Sequence, residues 1–361
     1  MDQNRKKLLD NFSTRRIMIP VIIGLSVVGF MLYRDPAAAN LSAILDAKIE
    51  WLVITVLVLL VRDAGYMYRI RHITEEALSW RQSIDVIMLW EFASCVMPSV
   101  VGGSTVATFI LNKEGIPLGK SLAYVMVTAM LDNLYFVVAA PIVLLATQGA
   151  IFPDVAGLSF SVSSSLEVVF IISYALMAVY AFMMVYALFF KPQAVKRVLL
   201  RLTSFPFLRR WRRSAFKHGN ELVLASHQIK GKSWGYWFHA AISTAFVWTA
   251  RYYVVSCIIA AFIPLSFHEH LLIFARNFVW KVVLLVAVTP GGAGIVEATF
   301  KVFFQDFIGP SLLVLILLFY RIVTYYLYLV LGSIFLPRWI ARVFRTKKTE
   351  DPEIISTLQG H

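Results

Sequence analysis

Charge is scarce in this chain. Asp, Glu, Lys and Arg together make up 15% of its 361 residues, while 59% are apolar. About a quarter of the residues of a soluble domain are charged, so a water-soluble enzyme, a disordered regulator and a secreted scaffold are all excluded. Cysteine occurs only twice, which rules out a disulfide framework, and no Cys-x-x-Cys or Cys/His cluster marks a structural zinc site. There is no P-loop, no nucleotide-binding glycine pattern and no Ser/His/Asp arrangement, so no cofactor is expected.

What is present is hydrophobic length, with a mean hydropathy of +0.72. A membrane helix takes about 20 mainly apolar residues, and segments 17–33, 49–68, 121–146, 166–190, 236–263 and 311–336 read as crossings. The first is an anchor rather than a signal peptide, since no small-residue cleavage site follows it. Two further apolar regions are interrupted. Segment 83–111 is broken by Pro98, Gly102 and Gly103, and segment 271–307 by Thr289-Pro290-Gly291-Gly292-Ala293-Gly294. Each piece is too short for a crossing and suits one arm of a re-entrant hairpin.

The charge that exists is unevenly placed. Lys and Arg number 34 against 21 Asp and Glu, a net +13. With residues 1–16 on the cytoplasmic side and both broken regions re-entrant, Arg69 and Arg71, the strongly basic 191–235 loop and the basic C-terminal tail all fall inside. Segments 147–165 and 264–270 fall outside. That sorting follows the positive-inside rule; counting either broken region as a full crossing would put a basic segment outside. The sequence therefore predicts an all-α polytopic membrane protein of about six crossing helices plus two Pro/Gly-broken re-entrant hairpins.

Self-comparison adds an inverted repeat. Laying Pro98 on Pro290 brings Ser121-Leu122 close to Ser311-Leu312 and Tyr135 to Tyr325. The unit is crossing, hairpin, crossing, with repeat A at about 48–146 and repeat B at about 236–337. Three crossings separate the two breaks, so the second hairpin enters from the opposite side, an arrangement that marks transporter sites. The transmembrane domain covers 1–345, with the basic cytoplasmic loop 191–235 inserted in it, and 346–361 is a polar cytoplasmic tail.

Charged residues inside spans are costly, at about 2.5 kcal/mol or more at mid-bilayer, and so need a partner or a job. They are Glu91, Asp132, Arg251, Arg276, Lys281, Glu297, Lys301 and Arg321. Glu297 falls in the first turn of the second half-helix, where a carboxylate offsets the dipole and bonds free N–H groups. Arg321 lies 12 residues after Gly309 and Glu297 lies 12 before it. The two therefore sit at similar depth, about 18 Å from the bend. The candidate substrate-binding set is Arg321, Glu297, Arg276, Lys281 and Asp132, with Pro290, Gly291, Gly292, Gly294, Gly102 and Gly103 shaping the breaks. Glu91 is expected at the cytoplasmic interface, Trp51, Trp234, Trp237 and Trp339 in an interfacial belt, and Cys95 and Cys257 as buried thiols. His268-Glu269-His270 resembles a metal pair, but positions i and i+2 do not share a helix face. Arg209-Arg210-Trp211-Arg212-Arg213 fits adsorption to anionic inner-leaflet lipid better than nucleic-acid binding.

The run Thr289 to Ala298, followed by Tyr320-Arg321-Ile322-Val323-Thr324-Tyr325-Tyr326, resembles the membrane region of the lysylphosphatidylglycerol synthase/flippase-like family over roughly residues 10–345. The first break departs from the family pattern: Gly102-Gly103-Ser104-Thr105 stands where an acidic residue and an arginine are common. With about 25 polar residues after the last span, the resemblance implies a stand-alone flippase-like module rather than an aminoacyl-transferring synthase. The expected role is translocation of a membrane phospholipid or lipid-linked headgroup, of anionic type, in the plasma or inner membrane, with both termini cytoplasmic. The competing classes are an assembly factor docking through 191–235 and an enzyme acting on a lipid phosphate. Substrate identity and oligomeric state are not legible.

Overall fold

A computed structural model of the chain describes residues 14–34, 41–97, 100–148, 151–152, 160–285 and 289–350. Among them all regular structure is helical: α1 (Thr14–Arg34), α2 (Ile49–Ile73), α3 (Trp80–Val96), α4 (Val100–Lys113), α5 (Leu118–Ala146), α6 (Phe160–Val185), α7 (Pro192–Leu202), α8 (Arg212–Ile229), α9 (Trp234–Phe262), α10 (Phe267–Leu285), α11 (Ile295–Phe304), α12 (Pro310–Arg321) and α13 (Leu327–Glu350). Among the described residues, four stretches are long and apolar enough to cross a membrane: Leu118–Ala146, Phe170–Phe190, Trp234–Phe262 and Pro310–Val343. The chain is an all-α polytopic membrane protein.

The expected crossing at 49–68 is a long helix, α2, whose composition sets it apart. It carries Arg62, Asp63, Arg69 and Arg71, and it buries both Arg62 and Arg69 against its neighbours. The most extensive helix contact in the protein joins α2 to α9. Gly65 makes this approach possible, because a Cβ there would lie 2.6 Å from the Val247 side chain. On the outer helices the pattern reverses. Val138, Ile142 and Leu145 of α5, and Ile171, Leu176 and Val179 of α6, point outward, as lipid-facing side chains do.

Both interrupted regions fold as helical hairpins. α3 and α4, of 17 and 14 residues, extend about 26 and 21 Å, less than the ~30 Å hydrocarbon thickness. Ser79 starts α3 with a reciprocal cap: its Oγ accepts from Gln82 N–H while Gln82 Oε1 accepts from Ser79 N–H. Pro98 and Ser99, at the first break, lie outside the described residues. Gly102 and Gly103 fall in the first turn of α4 rather than in the break itself. Gly103 lets the two arms close up, since a Cβ there would meet Ser94 Oγ at 2.6 Å. In the second hairpin α10 has 19 residues and α11 only 10, about 15 Å of helix or half the hydrocarbon thickness. A tight turn, Pro290–Gly292, joins its arms. Gly291, Gly292 and Gly294 all take positive φ (57°, 66° and 85°), a conformation open to glycine and strained for residues with a Cβ. The order long helix, hairpin, long helix occurs twice, as α2/α3–α4/α5 and as α9/α10–α11/α12.

The 191–235 segment folds into α7 and α8, packed on each other with Val195, Leu222, Ala225 and Ile229 inward. Arg209, Arg210, Arg212 and Arg213 remain exposed. Lys232 pairs with Glu75 just past α2, and this hydrogen-bonded ammonium holds the Glu75 carboxyl below the usual range. Trp339, expected in an interfacial belt, packs inside the protein. It is buried, and its indole N–H donates to Glu114, which also accepts from Gln82 and Arg342. Glu114 thereby ties α13 to the end of the first hairpin.

Candidate functional site

Glu297 and Arg321 meet. Arg321 Nε donates to Glu297 Oε1 at 2.7 Å, with the two side chains 3% and 0% exposed. The equal spacing about Gly309 had placed them at one depth, and the antiparallel packing of α11 and α12 brings them into contact. Glu297 Oε2 also accepts the Gly294 N–H at 2.7 Å, the N-terminal role expected of a carboxylate three residues into a helix. Arg321 Nη1 donates to the Gly291 carbonyl at 3.1 Å, and its guanidinium lies 4.3 Å over the Tyr325 ring. One residue thus grips both the half-helix and the glycine turn. α1 covers this pair. Its Gly24 stands so close that a Cβ would come within 2.9 Å of Glu297 Oε1. Immediately after Arg321 the helix widens into a π-helical turn over Ile322–Tyr326, a distortion frequent at functional sites.

In front of Arg321 lies a cavity of about 420 Å³ between the two hairpins. The second hairpin supplies Lys281, Thr289, Gly291 and Gly292 to its wall; the first supplies Trp90, Glu91 and Ser94. Helices α2, α5 and α9 add Arg62, Arg69, Asp132, Trp248, Arg251 and Tyr252. Most of the charges are paired across the fold. Arg251 reaches Glu91 through both terminal nitrogens (2.8 and 3.3 Å) and Tyr66 Oη at 3.2 Å. Arg69 bonds Asp132 at 2.5 Å, and the Trp248 indole N–H donates to the same oxygen at 2.7 Å. Arg62 bonds the neighbouring Asp63, whose other oxygen accepts from Tyr328 Oη at 2.7 Å. Among the described residues, four that line the cavity each carry a polar atom that is buried away from the cavity surface and has no partner: Tyr252 Oη, Thr289 Oγ1, Arg321 Nη2 and Tyr325 Oη.

Of the residues singled out from sequence, Arg321, Lys281, Asp132, Gly291 and Gly292 line this cavity, with Glu297 directly behind Arg321. Arg276 does not. It bonds Asp306 at 2.7 Å and the Phe303 carbonyl at 3.2 Å, and so locks α10 to the end of α11. Pro290, Gly294 and Gly103 shape a backbone turn or a close approach and are not among the residues lining the cavity, and Gly102 lies in the first turn of α4. Two residues have surroundings that the sequence did not suggest. Glu91, expected at the cytoplasmic interface, lies largely enclosed beside Arg251, on an α3 that packs against α13 and α2. Arg69 is not in a loop: α2 continues helical to Ile73, and the side chain is 5% exposed and held by Asp132. Sequence reasoning also passed over Tyr66, Trp248, Tyr252 and Tyr325. An aromatic residue in an apolar span resembles its neighbours until a charged partner is placed beside it.

Two residues of the His268-Glu269-His270 run have structural roles. Glu269 caps α10 by accepting from the Ser266 N–H and hydroxyl, both at 2.7 Å, and His270 shares a 2.6 Å hydrogen bond with Ser256. Among the described residues no group of three His, Cys, Asp or Glu is placed to hold a metal.

Residues 17–332 match the model of the lysylphosphatidylglycerol synthase TM region. The chain belongs to that family. Among curated proteins it is similar to a UPF0104 membrane protein of Archaeoglobus fulgidus, 23% identical over 340 residues that cover 88% of this chain and 95% of the relative. No solved structure matches it. The family match takes in both hairpins, the glycine turn and Arg321, and so contains the whole cavity wall.

Proposed function

We propose that the chain is a carrier, not an enzyme, moving an anionic lipid or lipid-linked headgroup across the cytoplasmic membrane. The observation that carries this reading is the cavity between the two hairpins, lined by Arg62, Arg69, Arg251, Lys281 and Arg321. An arginine at mid-bilayer costs about 2.5–3.5 kcal/mol on insertion scales, and no packing need calls for five cations around one space. The ion pairs hold four of them in fixed positions. Lys281, which has no carboxylate partner among the described residues, offers a headgroup hydrogen bonds to replace some it leaves in water. About 420 Å³ is at the small end of ligand-pocket volumes, suited to a headgroup whose acyl chains stay in the bilayer.

Flipping is measured with purified protein in liposomes carrying tail-labelled phosphatidylglycerol and an impermeant quencher. Label in the inner leaflet is expected to become quenchable with the protein present and to stay protected in empty vesicles. Protection unchanged by the protein would remove the translocator reading.

The same reading puts both termini and 191–235 in the cytoplasm, where the exposed arginines of that segment meet anionic lipid. A cysteine at position 210 is then expected to resist impermeant maleimide in intact cells and to label after permeabilisation. Labelling in intact cells would reverse the orientation.

A further inference from the structure

The charges around the cavity do not cancel, and the remainder is a single lysine. Arg62 has Asp63, Arg69 has Asp132, Arg251 has Glu91 and Arg321 has Glu297. Lys281 has no such partner: among the described residues no carboxylate lies within 4.0 Å of its ammonium. Its neighbour is the Trp248 ring, 5.7 Å away, which attracts a cation without neutralising it. Among the described residues, five cations against four paired carboxylates leave one positive charge around the cavity, that of Lys281.

We infer that the cavity accepts a headgroup with one net negative charge, a lipid phosphodiester whose other substituent is uncharged, and that Lys281 is the residue that selects it. The inference rests on the translocator reading and names the substrate class of the same site. A zwitterionic headgroup brings its own cation, which here meets a surplus of positive charge. Glu91 already gives both oxygens to Arg251, and Asp132 accepts from Arg69 and Trp248. A dianionic headgroup brings a second charge for which the wall has no second free cation. A lipid phosphodiester carries its single charge on two non-bridging oxygens, and the Lys281 ammonium supplies three N–H groups to meet them.

The test uses the full chain in liposomes with tail-labelled phosphatidylglycerol or phosphatidylethanolamine, comparing wild type, Lys281→Gln and Lys281→Arg. In parallel, Trp fluorescence follows phosphatidylglycerol binding in neutral-lipid nanodiscs, where Trp248 and Trp90 report on the cavity. Wild type is expected to move phosphatidylglycerol at least about tenfold faster than phosphatidylethanolamine. Lys281→Gln should lose that preference by slowing the anionic lipid alone, and Lys281→Arg should keep it. Lys281 strands no ion-pair partner when replaced, so the Gln variant should melt with wild type. A preference that survives in Lys281→Gln overturns the inference and leaves the translocator standing. If wild type moves neither lipid but binds phosphatidylglycerol in a Lys281-dependent way, the translocator reading falls and the monoanion site stands. Neither binding nor movement overturns both.

Discussion

Glu297→Ala is expected to destabilise the protein by about 3–5 kcal/mol, the range for stranding one partner of a buried ion pair. Both side chains are sealed from solvent, so the guanidinium of Arg321 would be left with the Gly291 carbonyl as its main acceptor. The Gly294 N–H at the start of α11 would lose its acceptor as well, a loss of about 0.5–2 kcal/mol for an N-terminal cap. Thermal melts of detergent-purified protein measure the effect, and a melting temperature within error of wild type would mean that the pair does not hold the hairpin. Exchanging the charges, with Arg at 297 and Glu at 321, should recover little of this stability. The pair is polar in direction: position 297 faces backbone N–H groups and the positive end of α11, which accept a carboxylate and repel a guanidinium. Neutralising both partners is the cleaner separation of structure from transport. Glu297→Gln with Arg321→Met removes both charges at similar volume, a change often neutral for buried pairs. That double variant should fold near wild-type stability and still fail to move anionic lipid, because the Arg321 guanidinium at the cavity wall is gone. Wild-type flipping by it would reduce Arg321 to a structural counter-ion.

The parts of this site legible in the sequence are those written by local rules. Apolar length marks α5, α6, α9 and α12, and Pro and Gly mark the second turn, where three of its glycines take positive φ. Counting equally from Gly309 puts Glu297 and Arg321 at one depth, since a short connection between antiparallel helices converts sequence distance into height. Pairings between remote helices had no such rule. Arg251 and Glu91 are 160 residues apart, and Arg69 and Asp132 are 63 apart; which helix faces which is settled by packing such as that of Gly65 on α9. Arg69 resembled a loop charge because it stands beside Arg71, and only the continuation of α2 to Ile73 and the contact with Asp132 show otherwise. Trp339 was hidden for the same reason: it resembled an interfacial anchor until the fold joined it to Glu114 at 2.6 Å.

Gly291→Leu should abolish transport at normal expression, and Gly332 supplies the control that makes the result interpretable. At Gly291 two penalties coincide. A side chain in the left-handed region costs about 1–2 kcal/mol, and a Cβ built there would overlap the Tyr325 ring, adding the ~1–3 kcal/mol typical of overpacking. The turn can escape only by moving, and moving it carries the Gly291 carbonyl away from Arg321 Nη1 and the hairpin tip away from the cavity wall. The expected loss is therefore in the rate per folded molecule as well as in stability. Gly332 on α13 meets only the second kind of penalty. Its φ is ordinary, and its Cβ would overlap the Phe92 ring of α3, away from the cavity lining. Gly332→Ala should lower the melting temperature while the surviving protein flips lipid at close to the wild-type rate. Matching the two variants for folded protein by size-exclusion fluorescence before the liposome assay separates a damaged site from a damaged fold. A Gly291→Leu protein that flips as fast per folded molecule as Gly332→Ala would remove the glycine turn from the translocation site.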